Sequence, residues 1–143
     1  MKARMGLVLG ATLLAAGLAT PAHATASAPT SQRIQEGVTI IERDGGAHNC
    51  PDFKVCLYEN SRYNVPNYGR ILITDQSISD LGAYGFDNVT SGVINNTNNH
   101  ALVYDEKDYE GELVYHFWPR TSMDFGYGPE SKRASSLLIA QPN

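Results

Sequence analysis

Basic side chains are scarce in this 143-residue chain, which has 11 Lys and Arg against 15 Asp and Glu. Protein affinity for nucleic acid comes largely from cationic contacts to phosphate, so this balance argues against a nucleic-acid partner. The excess of carboxylates instead mildly favours the binding of a cation.

Long hydrophobic runs are also missing, apart from one run at the N-terminus between Met5 and Leu18. Lys2 and Arg4 precede it, and Ala22-His23-Ala24 follows it with the small residues of a cleavage site. The run is shorter than the roughly 20 residues that a membrane-spanning helix needs. Residues 1–24 are therefore predicted to be a signal peptide, and the protein is predicted to be secreted and extracellular. The mature chain would keep 119 residues with a net charge of −6, and no later segment is apolar enough to enter a membrane.

Only two cysteines are present, Cys50 and Cys56, and both lie in the exported part. An even number of cysteines in an oxidising compartment predicts one disulfide. The alternative, a metal-binding pair, lacks the second pair of ligands that zinc sites show.

Catalytic motifs are absent as well. The mature chain has three histidines, His48, His100 and His116, with no HExxH, no G-x-S-x-G and no free thiol. The acids of residues 105–112 lie on one short hairpin, whereas glycosidase acids normally come from separate strands around a cleft. The protein is predicted not to be an enzyme.

Helical apolar spacing is missing from the whole mature chain, while short β-prone runs alternate with polar turns. The fold class is therefore predicted to be all-β. Residues 25–49 are predicted to be a flexible N-terminal segment, although Val38–Ile41 would also suit a short strand. The folded domain is assigned to residues 50–141.

An internal repeat with a period of about 46 residues organises this domain. Tyr58 and Tyr63 have the same spacing as Tyr104 and Tyr109, and each pair precedes a loop that contains adjacent serines or Thr-Ser. A repeat of this kind indicates one supersecondary unit used twice. About four short strands per unit, joined by one hairpin and one long connection, predict two Greek-key motifs that form a β-sandwich.

These features resemble the βγ-crystallin superfamily and, more narrowly, its bacterial secreted peptidase-inhibitor branch of the Streptomyces metalloproteinase-inhibitor type. The residues that carry the resemblance are Cys50–Glu59, Asp87–Val93, Tyr104–Gly111 and Ala134–Ser136. The resemblance implies a βγ-crystallin-like β-sandwich that inhibits a metalloprotease. The partner would be an extracellular peptidase, and the protein is expected to be a monomer.

The resemblance also implies one calcium ion. Asp87, Asn88 and Ser91 match the superfamily's calcium motif, which this chain leaves at Gly92, and the partner hairpin would add Asp105 and Glu106. Oxygen ligands of this kind suit a hard cation. The alternative is that the same residues only make Asx turns and fix the loop. The second copy of the motif, residues 131–136, carries Lys132, whose ammonium would repel calcium, so that copy is predicted to be vestigial.

The inhibitory segment is predicted at Phe53, Lys54 and Val55, inside the loop that the cysteines close. Related inhibitors frame their reactive segment with a further cysteine pair, which this chain lacks, so the loop would alternatively be only an N-terminal staple. Two other functions stay open: a calcium-binding structural or antimicrobial extracellular protein without inhibitory activity, and a carbohydrate-binding module that uses exposed tyrosines or Trp118, although Trp118 is expected in the core.

Overall fold

The structure, a computed structural model, describes residues 36–142, so the predicted signal peptide lies outside the described residues. Within them the chain forms eight β-strands and no α-helix. The strands are β1 (Val38–Asp44), β2 (Val55–Tyr58), β3 (Tyr68–Thr74), β4 (Gly92–Asn95), β5 (His100–Tyr104), β6 (Leu113–Phe117), β7 (Thr121–Asp124) and β8 (Ser136–Ala140). Short 3₁₀ turns span Ala47–Asn49, Arg62–Asn64, Leu81–Tyr84 and Lys107–Tyr109.

The strands make two antiparallel sheets. The first has the order β1-β3-β2-β4-β7 and the second the order β6-β5-β8. β7 belongs to the second half of the sequence but pairs with β4 of the first half, with Val93 opposite Met123. In return, Ile78 of the first half bridges to Leu137 in β8. The two halves therefore exchange one strand position each and interlock, and the predicted all-β fold with two Greek keys is confirmed.

Alternate residues of each strand face the space between the sheets, as the two-residue period of a β-strand requires. Leu57 of β2 and Val93 of β4 meet Val103 of β5 and Leu137 of β8 in one buried cluster. Phe86, from the long connection of the first half, is fully buried in the same cluster. The two sheets thus share one core, as expected for motifs that cannot bury their apolar faces alone.

Strand β1 corrects the predicted domain boundary. The domain was expected to begin at Cys50 after a flexible segment, with a short strand at Val38–Ile41 as the alternative, whereas Val38–Asp44 pairs with β3 along its whole length, from Val38↔Thr74 to Asp44↔Tyr68. Residues 25–35 of that segment lie outside the described residues. The full length of β1 is set by its pairing with β3, which is a long-range contact. The polar residues that follow Ile41 do not by themselves predict that the strand continues to Asp44. The folded domain therefore includes β1.

Gly45 and Gly46, which follow β1, pack closely against the hairpin that carries Tyr58 and Tyr63. We call this hairpin the first tyrosine hairpin, and the one that carries Tyr104 and Tyr109 the second. A Cβ on Gly45 would lie 2.2 Å from the backbone oxygen of Tyr63, so only glycine fits there. The backbone N–H of Gly46 donates to the same oxygen at 2.8 Å. This explains why Asp44-Gly45-Gly46 both ends the strand and anchors it.

The two tyrosine hairpins are fixed by different side chains. In the first, Asn64 is fully buried; its Oδ1 accepts from the backbone N–H of Asn60 at 2.8 Å, and its Nδ2 donates to the Arg70 carbonyl at 3.2 Å. In the second, the Ser136 hydroxyl donates to the Glu106 carbonyl at 2.6 Å and accepts from the Tyr109 N–H at 3.1 Å. The same hairpin role is therefore filled by an amide in one half and a hydroxyl in the other.

A local twofold pattern relates the two loops that follow the hairpins. Asn88 N donates to Ala134 O at 2.9 Å, and Lys132 N donates to Thr90 O at 2.7 Å. Ser91 N and Ser135 N each donate to the carbonyl of the first tyrosine of their own half, at 2.8 Å in both cases. The repeat detected in the sequence is thus a repeat of hydrogen bonds.

Candidate functional site

Two loops meet at one end of the first sheet. The backbone N–H of Phe53 donates to Asn96 O at 3.0 Å, and Asn96 N donates to Lys54 O at 2.9 Å. These bonds continue the β2–β4 ladder, in which Val55 lies opposite Asn95. The Asn96 side chain adds a bond from Nδ2 to Cys50 O at 2.9 Å. The loops are therefore joined along their backbones.

The first of these loops is closed covalently. Cys50 and Cys56 form a disulfide, with their Cα atoms 5.8 Å apart, which confirms the predicted pairing. Cys56 is buried in β2, so the bridge fixes the residues between the two cysteines to the sheet.

The second loop, Asn95–Asn99, is closed by hydrogen bonds instead. The buried Asn95 Oδ1 accepts from the Thr97 N–H at 3.0 Å and from the Thr97 hydroxyl at 2.6 Å. Asn95 Nδ2 donates to Asn99 O at 2.8 Å and to Trp118 O at 3.1 Å. Buried, satisfied side-chain networks of this kind restrict a loop to one conformation.

Arg120 connects the exposed sides of both loops. Its Nε donates to Asn98 Oδ1 at 3.2 Å, and its Nη1 lies 3.5 Å from Asp52 Oδ1. Its guanidinium carbon also stands 4.8 Å from the centroid of the Phe53 ring. We call the residues Pro51–Lys54, Asn96–Asn98 and Arg120 the loop surface.

The three residues predicted for the inhibitory segment differ in accessibility. Phe53 is 60% exposed and stands out from the surface in a left-handed backbone conformation, at φ 61°. Lys54 is half-buried, and its Nζ pairs with Asp75 Oδ2 at 2.7 Å, which lowers the pKa of that carboxyl. Val55 is fully buried in β2, which corrects its assignment to an accessible segment, because its side chain points into the core between the sheets.

Asn95–Asn99 and Arg120 were not predicted as site residues. The sequence did hold a signal for the first: Asn96 follows Cys50 by 46 residues, the period of the repeat, so this loop is the second-half counterpart of the disulfide loop. Nothing in the sequence indicated Arg120, since only the interlocked topology brings the start of β7 beside the disulfide loop.

An exposed aromatic group adjoins the loop surface. Trp118, expected in the core, is 61% exposed. Its ring stacks with His116 at 5.0 Å and meets His100 edge-on at 4.9 Å, while His116 Nε2 and His100 Nδ1 are 2.8 Å apart. The alternation of β6 places Phe117 inside and its neighbours outside, which overrides the apolar composition of the run.

The residues predicted to bind calcium are largely engaged with other groups. Asp105 Oδ1 accepts from the Glu112 N–H at 2.7 Å and Oδ2 pairs with Arg133 at 2.9 Å, contacts that together lower the pKa of the Asp105 carboxyl. The Glu106 carbonyl accepts from Ser136, and Ser91 Oγ lies 3.2 Å from Ser131 Oγ.

Asp87 and Asn88 are exposed and contact each other, with Asn88 Nδ2 donating to Asp87 Oδ2 at 3.2 Å. No cluster of three or more His, Cys, Asp or Glu side chains that would hold a metal occurs in residues 36–142. Over the same residues, no helix has the length and apolar character needed to cross a membrane.

Comparisons with known proteins agree with this architecture. Residues 43–116, slightly more than half of the chain, match the family model of peptidase inhibitor family I36. A solved structure concerned with the evolution of the eye-lens βγ-crystallin domain fold is similar with a TM-score of 0.58 and 17% identity, over 73% of this chain and 100% of its own. A βγ-crystallin from Ciona intestinalis is similar with a TM-score of 0.50 and 24% identity, over 60% of this chain and 98% of its own. These two likenesses concern the fold. No curated protein matches the chain.

Proposed function

The chain belongs to peptidase inhibitor family I36, and we propose that it inhibits an extracellular metallopeptidase by presenting the loop surface to the enzyme's substrate cleft. One observation carries the choice of surface: the exposed ring of Phe53 lies against Arg120, on a backbone that is hydrogen-bonded to a second loop.

Rigidity is what this surface offers an inhibitor. Ordering a flexible side chain on binding costs about 0.5–1.5 kcal/mol, and a mobile loop adds its own backbone entropy. Here the Cys50–Cys56 bridge and the Asn95–Thr97 hydrogen bonds fix the two loops before any partner arrives. Less of the interaction energy is therefore lost on ordering the loops.

Phe53 and Arg120 are the residues that suit an anchor. Binding energy at protein interfaces concentrates in a few aromatic and arginine side chains near the centre of the contact. Phe53 has most of its ring available for burial, and Arg120 holds that ring from one side while keeping its charge in solvent.

The disulfide would also protect the inhibitor from its target. A peptide bond cut between Cys50 and Cys56 leaves both new ends attached to the same bridge. The hydrogen bonds between Phe53, Lys54 and Asn96 hold each side in place, so product release and resynthesis compete. A substrate loop without these ties would simply leave the cleft.

The extracellular assignment rests on the predicted leader and on the disulfide, because such bridges persist in oxidising compartments. A metallopeptidase is the class suggested by the resemblance to the Streptomyces-type inhibitors.

A titration against peptidases of the serine, cysteine, aspartic and metallo classes tests the proposal. We expect stoichiometric inhibition of a thermolysin-like metallopeptidase, with Phe53→Ala and Arg120→Ala each raising the inhibition constant roughly 30-fold. Tyr127→Ala is the matched control, because it removes a ring that is 99% exposed but lies outside the loop surface.

Absence of inhibition in every class would contradict the proposal that this chain is an active inhibitor. Inhibition that both substitutions leave unchanged would instead contradict the choice of the loop surface and direct attention to another face.

Calcium binding is a second proposal, favoured by one observation. Thr90 Oγ1 lies inside the motif loop, is buried, and has no hydrogen-bond partner among the described residues. A buried hydroxyl without a partner costs free energy. A calcium ion in the loop would offset that cost by holding a ligand or a water within hydrogen-bond distance of the Thr90 hydroxyl.

A melting experiment tests this second proposal. If calcium binds the native loop, the melting temperature rises with calcium by mass action and the combined Asn88→Ala and Ser91→Ala substitutions abolish the rise. Thr90→Val is the control for a merely buried hydroxyl. Identical melting curves in calcium and in chelator would contradict the proposal.

A further inference from the structure

A cavity of about 450 Å³ opens on another side of the first sheet. It lies between the first tyrosine hairpin, Ser91, Tyr127 and Lys132, and shares no residue with the loop surface. We call it the basic cavity, because Arg62 and Lys132 are the charged residues of its lining, which includes no Asp or Glu. Two cations without an acid stand out in a chain that carries more carboxylates than basic groups.

Two carboxylates, Glu59 and Asp124, lie near the cations but make no ion pair with either of them. Within residues 36–142 the side chains of Arg62 and Lys132 make no hydrogen bond and no ion pair. Asp124 accepts the backbone N–H groups of Arg62 at 2.8 Å and Gly126 at 3.1 Å. Glu59 pairs with Arg70 at 3.0 Å, and its pKa is lowered chiefly by that hydrogen bond and also by the charge of Lys132. Both ammonium and guanidinium groups are therefore available to a ligand.

The backbone holds both cations in an unusual conformation. Arg62 and Lys132 have φ of 55° and 59°, in the left-handed region that non-glycine residues rarely adopt. Each is fixed there by a hydrogen bond from its own N–H, to Asp124 Oδ2 at 2.8 Å and to Thr90 O at 2.7 Å. Asp108 and Asn88, at the equivalent positions of the other half, have φ of 58° and 54°, so this conformation belongs to the repeated fold and fixes where the two cations stand.

The local twofold pattern sharpens the contrast between the two loops. Lys132 occupies the position that Asn88 holds in the other half, and Ser131 stands where Asp87 stands. The loop of the first half carries Asp87 and Asn88, which suit a cation, whereas the matching loop of the second half carries the cation Lys132 and suits an anion.

The remaining lining describes the body of the ligand. Val65 and Pro66 are exposed apolar groups on one side, and the Tyr127 ring is 99% exposed at the rim. A flat or apolar group would gain by covering them, because burial of apolar surface is favourable. Ser61 and Ser91 add hydroxyl groups beside the cations.

We propose that the basic cavity binds a small organic anion, a carboxylate or phosphate attached to an apolar or aromatic body, through Arg62 and Lys132. The site shares no residue with the loop surface and is therefore independent of the proposed inhibition. Arg62 would hold the oxyanion with its planar fork and Lys132 with a point charge.

NMR titration of the purified protein with benzoate and with phenyl phosphate, at constant ionic strength, tests the assignment. We expect saturable shifts of the amides of Ser91, Gly126 and Tyr127 with either or both probes, and weaker shifts with inorganic phosphate. The probe that binds more tightly identifies the source of the oxyanion. Benzyl alcohol, which keeps the ring without the charge, should give no saturable shift.

Variants decide whether the two cations carry the binding. Arg62→Gln and Lys132→Gln should each raise the dissociation constant about tenfold, while Arg62→Lys and Lys132→Arg should retain much of the affinity. Arg43→Gln is the control for the loss of one positive charge outside the cavity. Shifts that are absent, equal with benzyl alcohol, or unchanged in both Gln variants would overturn the proposal.

Discussion

The first and second halves of the sandwich share strands and hydrogen bonds but differ in what covers their outer faces. In the first half, Cys56 lies opposite Ile73 and Ile94, and all three are buried. Cys50, the disulfide partner of Cys56, and Ile41 of β1 pack against them. In the second half, the corresponding Leu102 lies opposite His116 and Leu138, and these three are only partly buried.

The comparison shows how a duplicated motif becomes asymmetric. An N-terminal strand and one covalent bridge give the first half a second apolar cluster, built from Cys50, Cys56, Tyr58, Ile71, Ile73 and Ile94. The second half leaves the equivalent face open and closes its own loop with Asn95 and Thr97. The first half therefore has an additional buried cluster that stabilises it, whereas the second half has an exposed outer face.

The largest expected difference between the halves concerns these outer faces. Ile94→Ala should cost about 2–4 kcal/mol of unfolding free energy, because it leaves a cavity in a buried cluster. The matched change Leu138→Ala should cost about 1 kcal/mol, since that side chain is already partly in water. Urea unfolding of both variants measures the difference, and equal losses would break the comparison.

The tyrosine hairpins give the next effect. Asn64→Ala removes two hydrogen bonds of a fully buried amide from a residue at φ 67°, so about 2–3 kcal/mol should be lost. Ser136→Ala also removes two hydrogen bonds but from a residue in a strand, and about 1–2 kcal/mol should be lost. Thermal unfolding of the two variants provides the test; a larger loss at Ser136 would reverse the order of the two devices.

The smallest effect is electrostatic and depends on pH. The hydrogen bond from Arg70 holds the pKa of Glu59 below its usual value of 4.5, so the ionised carboxylate stabilises the folded state. This stabilisation is present above the unfolded pKa and is lost as the pH falls through the lower folded pKa. Glu59→Gln should therefore reduce stability at pH 7 by about 1 kcal/mol or less, after solvent screening, and flatten the acid side of the stability profile.

Asp105 with Arg133 is the second-half counterpart of this pair, and hydrogen bonds from Glu112 and Arg133 likewise lower the pKa of its carboxyl. Asp105→Asn should flatten the acid side to a similar extent, because the side chains of Asp105 and Glu59 are equally exposed, at 27% each, and are screened alike. Urea titrations at pH values from 2 to 7 would measure both profiles. An unchanged acid limb in Glu59→Gln would show that other carboxylates control the acid transition.

Much of this fold could be read from the sequence because its evidence is local. The equal spacing of Tyr58–Tyr63 and Tyr104–Tyr109, the absent helical period and the two cysteines each report on short segments. The register of β1 with β3 and the transfer of β7 to the first sheet depend on contacts between distant residues. Composition and spacing carry no information on those contacts.

The candidate site shows the same division. The disulfide loop was predicted and Phe53 stands exposed within it, whereas the burial of Val55 follows from β2's alternation once its paired strands are known. Trp118 was expected inside and lies outside, because a one-residue change of phase moves every side chain of a strand to the other face. Arg120 required the complete topology.

Hydrogen–deuterium exchange of the protein alone and bound to an inhibited metallopeptidase tests the central claim most directly. We predict new protection at Pro51–Lys54, Asn96–Asn98 and around Arg120, with the first tyrosine hairpin and residues 131–136 unchanged. Protection confined to those latter segments, while the peptidase remains inhibited, would contradict the assignment of the loop surface.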